Sequence, residues 1–479
     1  MAISSAGIGS GLDVSSIVSQ LMSIEKQPLT QLQTKATGLQ TKLSAYGTVK
    51  SALSGLQDAA SKLLDTSSWK AKTFTSNNTS AVTGSATTGA LATSFGLKIN
   101  DLAQVQSARS SGIPTGTALG ADGRMDIQLG EWSGSTFTAG SGSSVSVNVS
   151  STDTLADIAT KINSASAGVT AVVVKTGTND QLLLRGNTTG AASGFQIKTF
   201  DGGGTAITDG TTGVGKLAYD YSSTSSAFYG MTQTQAAQDA NIEIDGIAVT
   251  SASNTVTNAV PGVTLNLLAK TTTAATITVG EDTASIKTKL EAFQTAYNKV
   301  ATTLTDLTKY DAATKKAGTL QGDSTAVGLQ SVLRSMLGAS GPSGTTFTRL
   351  SDIGMEIQRD GTLSLNSTKL ETALKNTSDL NTFFTASTGS SATDGMARRI
   401  NSFIQQANGV DGNVSGRSSV LQASIARNTK DQDALNVRLT QRQAALYKQY
   451  NALDTKMGAL NGLSAYWTQQ MAQYNKASG

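Results

Sequence analysis

The 479-residue sequence contains no cysteine and no histidine. Without cysteine there is no disulfide, thiol nucleophile or thiolate metal ligand, and without histidine there is no imidazole base for a catalytic triad. We therefore expect no catalytic residues, no cofactor and no metal site, and we expect that the protein is not an enzyme. Composition alone leaves carboxylate chemistry open, either at a Mg²⁺ site or in a carbohydrate hydrolase.

Aromatic residues (5%) and charged residues (15%) are also scarce. These values favour several small β domains and a thin coiled coil over one large packed core. The 37 basic and 33 acidic residues form no clustered basic face, which argues against nucleic acid as a partner. No apolar run approaches the roughly 18–20 residues that span a bilayer, so we expect no membrane insertion. The opening string MAISSAGIGSGLDVSS also lacks the features of a cleaved signal peptide.

Both ends of the chain carry apolar residues at seven-residue spacing. The two series are Leu32, Leu39, Tyr46 and Leu53 near the N-terminus, and Leu439, Leu446, Leu453 and Leu460 near the C-terminus. Such a stripe needs a partner helix, because its apolar side would otherwise face water. The pattern predicts that the two ends pair as a coiled-coil or helical-bundle leg, although an ordinary core face would show the same spacing.

Helix signals surround these series. A first helix is predicted to begin after Asp13, a candidate N-cap, and to end or kink at Pro28. Its predicted apolar face consists of Val14, Ile17, Leu21 and Ile24. Further helices are predicted over 29–64, from 284 onwards and over 418–460, the last being about 60 Å long.

The middle of the chain, from about residue 70 to 279, alternates apolar and polar residues with a period of two, as in the series Val145, Val147 and Val149. One short helix interrupts the pattern at "TLADIATKINSAS". Many short strands separated by turn residues favour antiparallel β-structure in two small domains, with a division near Pro114 and Met231.

The predicted fold class is therefore α+β and multidomain, with a leg built from both chain ends and an inserted β-rich head of two small domains. The leg is predicted as a coiled coil or helical bundle. The predicted segments are 1–42 (a terminal leg helix, mobile in the free protein), 43–70 (first bundle helix), 71–113 (head, first part), 114–231 (outer head domain), 232–281 (head, second part), 282–430 (leg bundle with a small hairpin) and 431–479 (C-terminal leg helix).

Three glycine-rich strings suggest ligand loops, and each is better explained as a turn. "GIGSGLD" follows no strand, and "GVGKL" lacks the hydroxyl residue that a P-loop places after its lysine. "DGGGTAITDGTTG" has Thr212 where a calcium-binding EF-hand requires a glutamate.

Several longer strings resemble one family, the bacterial flagellar filament cap proteins, also called flagellar hook-associated protein 2. They are "ISSAGIGSGLDVSSIVSQLMSIEKQPL" at the N-terminus, and "FQTAYNKV", "GTLQGDS", "LSDIGMEIQRDGTLSLN" and "YKQYNALDTKM" in the C-terminal half. In the head, "TLADIATKINSASAGVTAVVV" resembles a small module named for its Ile-Asn pair, here Ile162 and Asn163. The resemblance covers essentially the whole chain and is loosest between about Ser110 and Ala240.

The resemblance implies a protein that is secreted by the flagellum's own type III export apparatus and acts at the distal tip of the filament. There it would form a homo-oligomeric ring, expected to be a pentamer, with a tetramer or hexamer as the alternatives. The ring would retain exported flagellin and promote its folding and insertion. Other implied partners are the hook-filament junction protein and a cytoplasmic export chaperone at the C-terminal region.

Two other functions stay open. One is a different axial flagellar protein, either flagellin or the hook-filament junction protein, because these also carry helical ends around a variable middle. The other is a cap that also acts as a surface adhesin for host mucin or glycans, although no residue identifies such a ligand.

The residues predicted to carry function are contact residues on the terminal helices. Those proposed for oligomerisation and filament docking are Ile17, Leu21, Ile24, Leu446, Leu453, Leu460 and Trp467. Polar residues dilute both stripes, so we expect roughly the first 40 and last 50 residues to become ordered only on assembly.

Overall fold

The computed structural model describes residues 11–222, 227–390 and 392–477. Two compact units divide the chain, which we call the helical unit (Met1–Trp69 with Thr283–Gly479) and the β unit (Lys70–Asp282). Helices towards both ends and a strand-rich middle confirm the predicted α+β class with its β-rich insertion. The division into seven segments and the mobility of the ends stay predictions.

The described residues form ten α-helices, one of which lies in the β unit. They are α1 (Val14–Glu25), α2 (Gln27–Leu64), α3 (Thr66–Trp69), α4 (Leu155–Ser164), α5 (Thr283–Thr308), α6 (Ser324–Gly338), α7 (Ser367–Ala373), α8 (Thr377–Thr385), α9 (Met396–Asn408) and α10 (Asn413–Ala477). The Asp13 side chain caps α1 by accepting the Ser16 N–H at 2.9 Å, and Pro28 lies in the first turn of α2. Both residues therefore mark helix boundaries as predicted.

The core of the helical unit is formed mainly by α2, α5, α6, α8, α9 and the start of α10. The helix predicted from residue 284 onwards is present as α5, and its apolar seam is buried at Ile286, Leu290, Phe293, Tyr297, Val300 and Leu304. Two short hairpins complete the unit, β21–β22 (Tyr310–Asp311 with Lys316–Ala317) and β23–β24 (Met355–Ile357 with Leu363–Leu365).

One buried carboxylate joins three helices of this unit. Asp323, the N-cap of α6, is only 5% exposed at its side chain. It accepts a hydrogen bond from the Tyr46 hydroxyl of α2 at 2.5 Å and from the Arg417 guanidinium of α10 at 2.9 and 3.1 Å. It also accepts the backbone N–H groups of Thr325 and Ala326. The start of α10 is thereby fixed against α2 and α6.

The last helix is longer than the sequence predicted. α10 comprises 65 residues, which is about 100 Å at 1.5 Å per residue. The predicted end near Leu460 was wrong. Gly458 and Gly462 weaken a helix by about 1 kcal/mol each relative to alanine, and the residues on either side of them are good enough helix formers to continue it.

The β unit contains twenty strands in the described residues. They are β1 (Lys72–Ser76), β2 (Val82–Ala86), β3 (Thr93–Asp101), β4 (Ser107–Arg109), β5 (Ile113–Pro114), β6 (Gly123–Ser133), β7 (Thr136–Ala139), β8 (Val145–Val149), β9 (Val169–Thr176), β10 (Asn179–Gly186), β11 (Gly194–Asp201), β12 (Ala206–Ile207), β13 (Tyr219–Ser222), β14 (Ala227–Gly230), β15 (Thr232–Gln235), β16 (Ala240–Ile244), β17 (Ile247–Ser251), β18 (Thr255–Thr257), β19 (Val263–Leu267) and β20 (Ala275–Glu281).

The sheets of this unit enclose two separate hydrophobic cores. One core lies between the sheet β1-β20-β3-β16-β17 and the sheet β18-β19-β2. The other is enclosed by β15-β4-β10-β5 with β9 beside β10, by β14-β13-β11-β6-β7 with β8 and β12 attached, and by α4. All named strand pairs are antiparallel, which agrees with the predicted β type.

The Ile-Asn pair of α4 has a clear structural role. Ile162 is fully buried in the second core. The Asn163 amide group donates to the Ala171 carbonyl at 2.9 Å and accepts the Ala171 N–H at 2.8 Å. The pair therefore fixes α4 to strand β9, one residue through packing and the other through hydrogen bonds.

Candidate docking surface on the terminal helices

The first helix of the chain packs against the middle of the last one. Five buried residues form this contact, which we call the terminal cluster: Val14, Val18, Met22, Leu439 and Leu446. Flanking it are the half-buried residues Leu12, Leu21, Leu29, Leu435, Tyr447 and Tyr450. The two ends of the sequence therefore pair with each other within one chain.

The buried face of α1 differs from the predicted face. Val14, Val18 and Met22 are buried, whereas the predicted Ile17 and Leu21 are only half-buried and Ile24 is 63% exposed. Residues four apart form the ridge that helices commonly use in packing, so a small rotation of α1 selects the 14, 18, 22 row. Sequence spacing alone does not fix that rotation.

The two terminal helices run antiparallel. Tyr46 of α2 and Arg417 of α10 both contact Asp323, and Glu25 of α1 lies 3.5 Å from Arg442 of α10. Lower residue numbers on the N-terminal helices therefore lie beside higher residue numbers on α10. With equal rise per residue, the start of α1 at Val14 falls about level with Leu453. α10 then continues to Ala477.

Beyond that level the apolar stripe of α10 is exposed. Leu446 is 5% exposed, whereas Leu453 is 43% and Leu460 and Trp467 are each 59% exposed. We define the distal stripe as Leu453, Met457, Leu460, Trp467 and Met471. Its alternating steps of four and three residues, with Ser464 at one position, continue the spacing of Leu439, Leu446 and Tyr450.

The surroundings of the distal stripe are polar but almost uncharged. Between residues 451 and 475 the charged residues are Asp454 and Lys456. Apolar surface with few charges is typical of the buried centre of protein interfaces. Long exposed apolar stripes are typical of interaction surfaces, because folded proteins otherwise keep such surface covered. The arrangement suits association with another helix through packing.

The predicted contact residues therefore separate into two groups. Leu446 belongs to the terminal cluster within the chain, Leu21 flanks that cluster, and Ile17 lies half-buried on α1. Ile24, Leu453, Leu460 and Trp467 are exposed. Their role in assembly stays a prediction. Sequence reasoning missed Val18, Met22 and Met471, although Met471 follows Trp467 at the same four-residue step.

Within 11–222, 227–390 and 392–477 no group of three or more acidic residues is placed to hold a metal ion. None of the helices in these ranges is long and apolar enough to cross a membrane.

A long helix whose apolar seam is covered at one end and exposed at the other is characteristic of a subunit that completes its packing in an assembly. Comparison with known proteins identifies the family. Residues 10–106 match the flagellar hook-associated protein 2 N-terminus, residues 237–462 match its C-terminus, and residues 136–188 match the flagellin hook IN motif.

Individual relatives agree over the full length. The chain is 31% identical to flagellar hook-associated protein 2 of Escherichia coli K12, with 98% of each chain covered. It is 30% identical to the A-type protein of Pseudomonas aeruginosa, covering 97% of this chain and 96% of the relative. This chain belongs to the flagellar hook-associated protein 2 family.

A solved structure supports the fold. The crystal structure of the flagellar cap protein FliD D1-D2-D3 domains from Escherichia coli matches with a TM-score of 0.57 at 28% identity. The match covers 79% of this chain and 99% of that one.

Proposed function

We propose that this chain is the capping protein of a bacterial flagellar filament. It acts at the distal tip as a homo-oligomeric ring that retains exported flagellin and promotes its folding and insertion. Family membership supports this function. The observation that carries it in the structure is the exposed distal stripe, which continues a seam already used between the two ends of the chain.

The two parts of the seam of α10 have different tasks in this function. The terminal cluster holds α1 on α10 within one subunit, and the distal stripe packs against helices of the neighbouring filament subunits, flagellin or the hook-filament junction protein. Before export the same stripe is the surface for a cytoplasmic chaperone, since exposed apolar residues favour aggregation. The protein performs this task by binding and not by catalysis.

The ring is proposed as a pentamer, with a tetramer and a hexamer as the alternatives. A mass measurement on the purified assembly distinguishes these numbers. Electron microscopy of the same sample distinguishes small closed rings from the long filaments that a flagellin would form.

The docking role is tested with Leu453→Asp in a strain that lacks its own cap protein. Thr455→Asp is the matched control, because it places the same charge two residues along the same helix, away from the stripe. We expect Leu453→Asp to give short or absent filaments and unpolymerised flagellin in the medium, while Thr455→Asp restores full-length filaments.

Both variants should unfold in urea at the same concentration as the unchanged protein, since neither position is buried within the chain. Full-length filaments with Leu453→Asp would contradict the docking role of the stripe. Filaments lost equally with both variants would show that charge anywhere on the helix is harmful and would also contradict it.

A further inference from the structure

A buried arginine lies in a cleft between α6 and α9 of the helical unit. Arg399 is only 5% exposed. Its Nη1 group donates to the Ala392 carbonyl at a long 3.4 Å, and Nη2 approaches only the sulfur of Met396, at 3.9 Å. Nε has no partner among the described residues. The edge formed by Nε and Nη2 therefore meets no oxygen of those residues.

The preceding residue, Arg398, lies in the same helical turn and has oxygen acceptors for its guanidinium group. Arg398 donates from Nε to the carbonyls of Thr385 and Ala386, each at 3.2 Å, and from Nη2 to Thr385 at 3.0 Å. Its nitrogens close the end of α8. The two adjacent guanidinium groups thus differ in whether oxygen acceptors surround them.

The charge of Arg399 is also poorly balanced. No carboxylate oxygen of the described residues lies within 4 Å of its nitrogens, whereas ten other ion pairs form in those residues. Burial lowers the pKa of Arg399, and the charge of Asp394 offsets only part of that effect. Asp394 itself accepts hydrogen bonds from Thr388. Buried charges in proteins are normally paired, so this one is unusual.

The cleft beside Arg399 has a volume of about 390 Å³. Polar groups come from Ser335 on α6 and from Ser402 and Gln406 on α9, and no acidic side chain lines the cleft. Met336 and Phe403 are half-buried and make part of its wall apolar. Hydroxyl and amide donors around a cation, next to apolar surface, suit an anionic group on a short apolar stem.

We propose that this cleft binds a carboxylate group and that the Arg399 guanidinium is its main contact. The Nε–Nη2 edge of a guanidinium matches the two oxygens of a carboxylate and pairs with them bidentately. Ser335, Ser402 and Gln406 supply further donors at the rim. The carboxylate belongs either to a small free acid or to an acidic side chain of a second copy of this chain.

The test follows the arginine side chains by NMR in the full chain labelled with ¹⁵N. Sodium acetate is titrated at constant ionic strength against sodium chloride, with acetamide as the uncharged analogue of the same shape. We expect the Nε–Hε signal of Arg399 to move and saturate with acetate, and not with chloride or acetamide. The signal of Arg398 serves as the internal control and should not move.

Thermal unfolding gives a second readout. Bound acetate raises the melting temperature of the state that binds it. We expect acetate to raise the melting temperature above its value in chloride for the unchanged protein and for Arg398→Met, but not for Arg399→Met. Replacement of an unpaired buried charge by an apolar side chain of similar length is normally tolerated, so Arg399→Met should fold.

The source of the carboxylate is distinguished by protein concentration. A signal that saturates with acetate at every protein concentration indicates a small free acid. A signal that moves on concentrating the protein without acetate, together with weaker self-association of Arg399→Met, indicates an acidic side chain of a second copy. An Arg399 signal that responds to neither acetate nor protein concentration would overturn the proposal, as would an acetate response retained by Arg399→Met.

Discussion

Replacing Asp323 should destabilise the helical unit to a degree that depends on which of its hydrogen bonds the new side chain keeps. Alanine loses the N-cap of α6, at about 1 kcal/mol. It also leaves the buried Tyr46 hydroxyl without its acceptor, at about 1–3 kcal/mol. The partner Arg417 is 37% exposed and can rehydrate, so loss of that contact adds about 1 kcal/mol. We expect Asp323→Ala to lower the free energy of unfolding by about 3–5 kcal/mol.

Asparagine keeps the shape, the cap and an acceptor for Tyr46, and loses only the charge. The expected cost is therefore about 1–2 kcal/mol, mostly from the weaker contact with Arg417. The difference in unfolding free energy between the two variants therefore measures the contribution of the N-cap and of the Tyr46 hydrogen bond, without that of the ion pair.

The charge of Asp323 also predicts the pH dependence of stability. Burial raises the pKa of this carboxyl, but hydrogen bonds from Tyr46, Arg417 and the Ala326 N–H outweigh that effect and hold the pKa below its usual value. A group whose pKa is depressed by folding stabilises the folded state above its unfolded pKa, which is about 3.9 for aspartate. That stability is lost as the pH falls through the folded pKa. The loss of unfolding free energy in Asp323→Asn, relative to the unchanged protein, should accordingly be greatest at neutral pH and become smaller below about pH 4.

Urea unfolding followed by fluorescence measures these effects. A background with Trp132→Phe and Trp467→Phe leaves Trp69, which is buried in the helical unit and stacks on Phe384 at 5.8 Å between ring centres. The remaining signal therefore reports this unit and not the β unit. Unfolding free energies of both variants within about 0.5 kcal/mol of the unchanged protein would refute the reasoning about Asp323.

Two further substitutions test the other contacts. Leu446→Ala should lower the free energy of unfolding by about 2–3 kcal/mol and speed amide hydrogen exchange in α1, because it removes packing from the terminal cluster. Thr455→Ala should do neither, and equal exchange rates in the two variants would contradict the role given to the cluster. Asn163→Ala removes both hydrogen bonds to Ala171 and should lower the stability of the β unit by about 1–2 kcal/mol, measured through Trp132 fluorescence. An unchanged unfolding midpoint would show that packing of Ile162 alone holds α4.

The elements that sequence predicted well are those whose pattern is local. The seam of α5 repeats every three or four residues and is buried along nearly its whole length, because a helix places such residues on one side regardless of what covers them. The turn between β23 and β24 is equally local, since Gly361 has the positive φ of 89° that favours glycine there.

The features that sequence did not predict depend on tertiary partners. The rotation of α1 that buries Val18 in place of Ile17 is set by its packing on α10. Arg398 and Arg399 are identical neighbours in the sequence, and only the position of α8 beside them leaves one satisfied and the other without oxygen acceptors at Nε and Nη2. The distal stripe was predicted in part, because its period is local, but how much of the seam of α10 the chain itself covers depends on where α1 begins.

The hydrogen bond between Tyr46 and Asp323 joins residues 277 positions apart in the sequence. The β unit, by contrast, closes its cores with residues from a single continuous segment. Bringing together residues that are farther apart in the sequence costs more chain entropy and slows folding. If the chain is exported starting from its N-terminus, the apolar faces of α1 and α2 therefore stay uncovered until the β unit has followed and α5 to α10 have been exported in turn. Because α1 packs on Leu439 and Leu446 of α10, its apolar face can be covered only after nearly the whole chain has been delivered.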